Sequence, residues 1–385
     1  MELPIIGQAP NHIIPLNARK GPNGNNNATN KPGRSVKLAA NHFADNEANS
    51  GELPEYLEYC GQPFIFLKTL FTGQAVTEKK IEDFMLSLGD KNKDVRNKAV
   101  CDLTDLIESD IPVKLKAKSI KSLIKALKND NNSELRNGAA FALEYLALSD
   151  LSTDPEENRA LKEMMVKPLI KALGDEDKSV QEHAKNALEN LVESDISIRL
   201  KAKIIRSFIK ALKSGSEADQ ELSVNALGYL THSDIPANLK EIMIDPLIEA
   251  LNNENWQVRN SAAAVLENLA LSDISHVYKE KMIEPLIKTF SNTEELDVIR
   301  THAVLAMENL VTTDSSPDSN ISLDSKKYMI NPFIKALDDE VPAIHDSANR
   351  VLNYYLANFN LPDEVKLKLI HRITPLPKTI DLDMQ

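Results

Sequence analysis

Apolar residues along most of the chain follow the spacing of paired amphipathic helices. In the block at 165–193, apolar side chains mark one face of the first segment from Met165 to Leu173, and a short polar turn follows. The second segment repeats its apolar residues at i, i+4, i+8 and i+11 from Val180, which is the stripe of a helix buried along one side. The block therefore predicts a hairpin of a first helix, called A, and a second helix, called B.

This hairpin pattern recurs along the chain. The blocks that begin at Met165, Met243 and Met282 read as copies of one another. The residue that opens the buried stripe of each B helix serves as an anchor, and successive anchors are 39–45 residues apart. A lone hairpin cannot bury both of its faces, so we expect the hairpins to stack into an array. The anchors, of which only the fourth is polar, are Val95, Leu135, Val180, Asp219, Val258, Ile299 and Ile344.

A Ser-Asp or Thr-Asp pair follows most B helices, as at Ser194-Asp195. An aspartate at that place can accept hydrogen bonds from the free N–H groups of the next A helix, so the pattern predicts a capping role. A ladder of cation sites is the alternative that the repetition leaves open.

Several features of the repeat resemble HEAT repeats. One B helix begins with Val258-Arg259, and helix A carries a proline in four repeats. The sequence Leu-Glu-Asn-Leu at 188–191 and 266–269 is equally similar to the third helix of armadillo repeats. The glycine that armadillo repeats usually place between their first two helices is missing before two of the blocks. The helix A prolines are Pro168, Pro246, Pro285 and Pro332.

The resemblance covers about residues 77–358 and implies the fold. It implies an all-α protein, a right-handed α-α superhelix (HEAT/ARM-like solenoid) of about seven helical-hairpin repeats with capping helices. Such a resemblance specifies function poorly, since this superfamily serves many different partners.

Other segments flank the array. Residues 1–50, rich in Asn, Gly and Pro, show little hydrophobic periodicity and predict a disordered arm. Residues 51–76 regain aromatic and aliphatic bulk, which predicts an N-terminal cap over the open face of the first repeat. Residues 77–358 form the predicted repeat array, and residues 359–385 predict a C-terminal capping helix followed by an extended tail.

Composition and charge narrow the class of partner. The chain is 42% hydrophobic but only 5% aromatic, and its net charge is −12. An acidic surface argues against nucleic acid, because phosphate binding needs clustered Lys and Arg. It favours a protein partner with a basic segment. The two cysteines, Cys60 and Cys101, show neither a metal-site spacing nor a disulfide framework.

The sequence contains neither a predicted membrane span nor a predicted signal peptide. No apolar run reaches the length of a membrane span, and the chain does not begin with a secretory signal peptide. We therefore expect a cytoplasmic protein that does not associate with a membrane. Secretion by a route without a signal peptide remains open, as does the oligomeric state.

The resemblance places the B helices on the concave surface, so the candidate binding residues are the B-helix positions outside the buried stripe. Nine residues after the anchor Glu recurs, and ten residues after it Asn or Tyr recurs. Asn offers a donor and an acceptor to the backbone of an extended peptide, and Glu would select its Lys or Arg side chains. The alternative is that these are ordinary solvated residues copied with the repeat. The predicted binding residues are Asn190, Asn268, Asn309, Tyr145, Tyr229, Tyr354, Glu144, Glu189, Glu267, Glu308 and, as exposed apolar contacts, Phe141 and Leu305.

Two further features lie outside these columns. Trp256 directly precedes the fifth B helix and is a candidate binding hot spot, with packing against a neighbouring turn as the alternative. A column of lysines late in helix A is typical of a solvated surface. A basic outer edge for a phosphorylated or nucleic-acid partner is the alternative, and the overall acidity counts against it. The lysines are Lys125, Lys171, Lys210, Lys288 and Lys335.

Some HEAT-like proteins are enzymes, so catalytic residues need consideration. Deoxyhypusine hydroxylase binds two irons through His-Glu pairs, whereas Glu182-His183 reverses that order and Ala303 follows His302. Common phosphate-binding, hydrolase and metalloprotease motifs are absent from the sequence. We therefore expect no catalytic residue, no metal and no cofactor.

The sequence thus predicts a non-catalytic protein-protein interaction scaffold or adaptor that binds a basic or extended protein segment on its concave B-helix face. The alternative is a HEAT-like enzyme or enzyme subunit, similar to a bilin lyase or to deoxyhypusine hydroxylase, that acts on a protein substrate.

Overall fold

All regular structure in the described part of the chain is α-helical. The arm predicted for 1–50, the cap predicted for 51–76 and the tail after 373 lie outside it. The computed structural model describes residues 78–88, 90–129, 131–312, 323–359 and 363–373.

The helices follow one another as hairpins, in which odd-numbered helices up to α13 are A helices and even-numbered helices are B helices. The helices are α1 (Glu78–Ser87), α2 (Lys93–Glu108), α3 (Val113–Leu127), α4 (Ser133–Leu148), α5 (Pro155–Ala172), α6 (Lys178–Glu193), α7 (Ile198–Ser214), α8 (Glu217–His232), α9 (Ala237–Ala250), α10 (Trp256–Ala270), α11 (His276–Phe290), α12 (Asp297–Thr312), α13 (Leu323–Ala336), α14 (Pro342–Asn358) and α15 (Asp363–Ile370).

The hairpins stack so that the A helices form one row and the B helices another. For every neighbouring pair of hairpins, the B helices contact each other more extensively than the A helices do. The more tightly packed row of a curved stack lies on its inside, so the B row forms the inner surface and the A row the outer one. The all-α solenoid that the sequence predicts is thereby confirmed.

The core is built from aliphatic side chains, as the aromatic-poor composition predicts. In α6 the predicted stripe of Val180, Ala184 and Leu188 is fully buried. In α2 the anchor Val95 is 37% exposed, whereas the rest of its stripe, Ala99, Leu103 and Leu106, is buried. Cys101, also in α2, is disulfide-bonded, which the cysteine spacing did not indicate.

Polar side chains at the A–B turns define where the B helices begin. In the first five B helices, the N-cap residue lies three positions before the anchor, and its side chain accepts a backbone N–H from the first turn, which satisfies one of the free donors of the helix. Asp219 also accepts from the backbone N–H of Ser216 and completes a capping box, which explains why a polar residue is tolerated there. The caps are Asn92, Asn132, Asp177, Ser216 and Asn255.

The predicted capping role of the Ser/Thr-Asp pair is wrong. Helices α3, α7, α9 and α11 begin without a side-chain cap hydrogen bond. The serine instead closes the preceding B helix, whose last carbonyls are free. The Ser194 hydroxyl donates to the Leu191 carbonyl at 2.8 Å, and Asp195 pairs with Arg159 at 2.6 Å.

In four of the repeats, an arginine directly after the anchor pairs with a carboxylate of the next repeat. Arg136 is 4% exposed, and its Nε and Nη2 donate to the two carboxylate oxygens of Asp175, both at 2.9 Å. Its Nη1 donates to the Asn129 carbonyl at 3.0 Å. Arg259 repeats this arrangement with Glu295 at 2.8 and 2.9 Å. These bonds fix neighbouring repeats along one edge of the stack.

The C-terminal helix α15 packs on α14. Leu369 is fully buried there, whereas Leu367 and Ile370 are exposed. No helix in the described ranges combines the length and the apolar composition that crossing a lipid bilayer requires.

Candidate binding surface on the inner helix row

Most glutamates of the predicted binding column are bonded to the next repeat. Each meets a polar residue that lies three positions after the next anchor, so the column bridges neighbouring B helices. Glu144, which is 1% exposed, accepts from His183 Nδ1 at 2.7 Å. The other bridges are Glu267 with His302 Nδ1 at 2.7 Å, and Glu308 with Ser347 Oγ and Arg350 Nη2, both at 2.7 Å.

Glu189 belongs to the same column but has no such bridge. The next helix places Leu222 at the position that His183, His302 and Ser347 occupy in their repeats, and Glu189 is 5% exposed. Burial raises the pKa of Glu189 to about 8, against the opposing charge of Lys185. Lys185 itself pairs with Glu182 at 2.5 Å. In α8 the column position is Gly228, where a methyl group would come within 3.0 Å of Val265.

The tyrosines of the second column also bond within the stack. The Tyr145 hydroxyl lies 3.4 Å from Glu108 Oε2 on the preceding B helix. Tyr229 likewise donates to Glu193, and burial raises the pKa of both tyrosines, with the nearby carboxylates adding to it. These hydroxyls therefore link repeats in addition to facing the inner surface.

Asn190 takes the same position between the two tyrosines. The preceding helix carries Leu148 where α2 carries Glu108, so Asn190 Nδ2 is buried without a hydrogen-bond partner in the described structure. Asn190 is only 4% exposed. The equivalent Asn268 and Asn309 are partly exposed.

The apolar contacts predicted for this surface differ from each other. Phe141 was expected to be exposed, and that expectation is wrong. It is 9% exposed and stands edge-on to the His183 ring at 5.4 Å. Leu305 is partly buried. Tyr354, in the last B helix, packs edge-on to Phe359 with ring centroids 6.1 Å apart.

Carboxylates that sequence reasoning did not select concentrate on α2. Burial raises the pKa of Asp105 to about 6, and the neighbouring Glu108 and Asp102 raise it further, with no cation among the causes. Burial also raises the pKa of Asp102, against Lys98. Asp105 sits in the tyrosine and asparagine column, so that column already held the signal. We call Asp102, Asp105 and Glu108, together with Glu193 of α6, the acidic strip.

Trp256 lies away from this surface. It is the first residue of α10, at the A–B turn, and is 48% exposed. Two clefts lie near the same edge, with volumes of about 310 and 380 Å³. Each is lined by one of the inter-repeat arginines, Arg136 or Arg259, whose guanidinium is already bonded.

The two His-Glu bridges do not form one metal centre. Three repeats separate His183 from His302, and helices that pack about 8–10 Å apart put them roughly 25–30 Å from each other. A two-metal site needs its ions about 3.5–4 Å apart. The described residues contain no group of three or more His, Cys, Asp or Glu side chains that could hold a metal ion.

Stacked helical hairpins with a tightly packed inner row define a HEAT/armadillo-like α-solenoid. A family model described as TORTIFOLIA1 N-terminal matches residues 90–294, which is more than half of the chain. The chain belongs to this family. Among curated proteins, none matches it.

Similar solved structures include an engineered protein and designed armadillo repeat proteins, and at these identities the similarity concerns the fold alone. An engineered protein is 20% identical with a TM-score of 0.47, over 83% of this chain and 76% of that one. A computationally designed armadillo repeat protein for modular peptide recognition is 20% identical with a TM-score of 0.40, over 60% of this chain and 99% of that one. Another, in complex with the peptide (KR)4, is 20% identical with a TM-score of 0.41 over the same shares.

Proposed function

We propose that this chain is a non-catalytic interaction scaffold whose inner B-helix surface binds a basic, extended segment of a partner protein. The acidic strip carries this proposal. Burial and then repulsion by the neighbouring Glu108 and Asp102 raise the pKa of Asp105 to about 6, and no cation opposes them. A ligand lysine or arginine beside Asp105 would remove that repulsion, because an opposite charge within about 4–6 Å favours the charged carboxylate.

The rest of the surface suits an extended ligand. Asn268 and Asn309 follow one another on successive B helices and are partly exposed, and an asparagine amide carries a donor and an acceptor, as a peptide group does. The bridged glutamates Glu144 and Glu308 then act mainly by holding the B helices in register. The acidic strip binds the charged side chains of the partner, and the asparagines bind its backbone.

Binding should become tighter as pH rises from 5 to 7. The Asp105 carboxyl, whose pKa is about 6, loses its proton over this interval and a bound cation favours that loss. Affinity for a labelled alternating Lys-Arg octapeptide, measured by fluorescence anisotropy at low salt, checks this. Affinity that stays constant across the interval would remove Asp105 from the site.

Removing two charges from the acidic strip should weaken binding of the same octapeptide. Asp105→Asn with Glu193→Gln keeps side-chain size and should lower affinity about three- to tenfold at low salt, the effect of two partly solvated ion pairs. The matched control is Glu254→Gln with Asp273→Asn, two exposed carboxylates outside the inner surface. Equal affinity in both double variants would overturn the proposed surface.

A further inference from the structure

The outer row carries a second charged surface of opposite sign. Helix α3 contains five lysines and no acidic residue, and helix α7 contains six lysines and arginines and no acidic residue. The two helices are two repeats apart and both belong to the A row, so they lie on the same face with α5 between them. A protein of net charge −12 therefore concentrates cations on one part of its outer surface.

Several of these cations are exposed and form no ion pair within the described chain. On α3 they include Lys121 and Lys125, and on α7 they include Lys203, Arg206 and Lys210. None of these five forms an ion pair with another described residue, whereas other exposed cations of the outer row do. They follow a spacing of three and four residues, which aligns them along one side of each helix.

The three acidic residues of α5 do not outweigh its four basic ones, and all three lie in the first nine residues of the helix. Glu156 pairs with Arg159 at 3.1 Å, Glu157 accepts from Ser152 at 2.8 Å, and Glu163 accepts from the Ser197 backbone at 3.0 Å. The later part of α5 adds the exposed Lys167 and Lys171. Helices α3, α5 and α7 thus form one continuous patch, which we call the basic patch.

Ion pairs mark both borders of the basic patch. On one side Lys118 of α3 pairs with Glu82 of α1 at 3.2 Å. On the other side Lys213 of α7 pairs with Glu249 of α9 at 2.6 Å. Acidic residues lie beyond each border, such as Asp83 on α1. The patch is three helices wide, about 20 Å, because packed helices lie about 8–10 Å apart.

We infer that the basic patch is a docking surface for an extended Asp/Glu-rich segment of a partner protein. A strand rises about 3.3 Å per residue, so six or seven residues span the three helices. Its carboxylates would meet lysines of α3, α5 and α7 in turn. This surface faces away from the acidic strip, and the inference does not depend on the proposed function of that strip.

Other polyanions fit the observations less well. Duplex nucleic acid or an anionic membrane extends beyond 20 Å and would approach the acidic residues of α1 and α9. Phosphate groups on peptides are bound mainly by arginine, whose guanidinium forms two parallel hydrogen bonds. The patch is dominated by lysine, with Arg199 and Arg206 as its exposed arginines. Distributed single charges match separate carboxylates.

The test compares two variants of the full chain that have equal net charge. The patch variant carries Lys125→Glu and Lys210→Glu. The control carries Lys288→Glu and Lys335→Glu, which occupy the same place in helix A outside the patch. The probe is a labelled alternating Asp-Glu octapeptide at low salt. We expect binding by the native chain, at least about tenfold weaker binding by the patch variant, and little change in the control. All four positions are exposed, so melting temperatures should agree.

Four outcomes would overturn the inference. The first is that the native chain does not bind the acidic octapeptide, and the second is that both variants lose binding equally. The third is that a phosphoserine peptide, a DNA duplex or phosphatidylserine vesicles bind more tightly than the octapeptide, with the same dependence on Lys125 and Lys210. The fourth is that the native chain self-associates and the patch variant does not. In the last case the occupant of the patch is the acidic surface of a second copy. Salt should weaken the expected complex, because the contacts are between solvated charges.

Discussion

Arg136→Ala should lower the free energy of unfolding by about 2–3 kcal/mol. The substitution removes a guanidinium that is 4% exposed and leaves the Asp175 carboxylate, whose side chain is 12% exposed, without its bidentate partner. Breaking a buried ion pair typically costs about 3–5 kcal/mol. Because water partly reaches Asp175, we expect a loss at or below the lower end of that range. Urea unfolding followed by circular dichroism measures it.

Arg159→Ala is the matched control for this prediction. Arg159 also bridges two repeats, through Asp195 at 2.6 Å, but its side chain is 35% exposed and that of Asp195 is 74% exposed. Exposed ion pairs contribute little to stability, so the control should unfold close to the native midpoint. Similar losses for both variants would mean that burial of Arg136 does not decide its contribution.

Glu189→Gln should stabilise the protein at pH 8 and have little effect near pH 5. The Glu189 pKa rises from about 4.5 in the unfolded chain to about 8 in the folded one, so the folded state binds more protons between these values. Stability from this group is therefore present at low pH and is lost as pH rises towards 8. Glutamine does not titrate, so the variant does not lose this stability. Water that enters around the ionised Glu189 limits the loss in the native chain, so we expect the free energies of unfolding to differ by about 2–3 kcal/mol at pH 8.

The charged groups around Glu189 shift its pKa in opposite directions, and the same groups are present in the native chain and in the Glu189→Gln variant. Lys185 lowers the pKa, whereas Glu182, Glu144 and Glu193 raise it. Melting temperatures of the native chain and the variant from pH 5 to pH 9 should diverge as pH rises. Glu221→Gln, on the next B helix, serves as the control and should follow the native curve. Parallel curves for the native chain and Glu189→Gln would show that Glu189 is not held protonated.

The sequence was most informative where one repeat determines the answer. The buried stripe at Val180 and the N-cap at Asp177 each depend on residues within one hairpin, and both are readable from helical spacing. The pair at Ser194-Asp195 misled for the opposite reason. The end of one helix and the start of the next compete for the same short segment, and which one the polar side chains satisfy depends on the path of the connection.

The candidate site was harder to predict because its side chains bond between repeats. Glu144 reads as a free carboxylate within its own hairpin, and its partner His183 lies 39 residues further on. Comparing the glutamate column with the column three residues after the next anchor would have revealed the pairing, since His recurs there at His302. Burial of Phe141 follows from the same contact and was not visible from a single helix.

The basic patch shows a similar division between sequence and structure. The charge of α3 and of α7 is plain in the sequence, but the two segments are 85 residues apart by their equivalent positions Lys125 and Lys210. Only the stacking of the A row brings them to the same face. The lysine column alone was misleading, because it includes Lys288 and Lys335, whose surroundings are different.

The unequal packing of the two helix rows also sets the mechanics of the molecule. A stack that is joined more firmly along one side bends about that side. The spacing between B helices therefore stays nearly constant when the solenoid bends, and the spacing between A helices changes. Repulsion among the lysines of α3, α5 and α7 pushes that row apart and increases curvature. Counterions or a bound polyanion would relax it, so the radius of curvature of the solenoid, and with it the width of the inner groove, should vary with ionic strength.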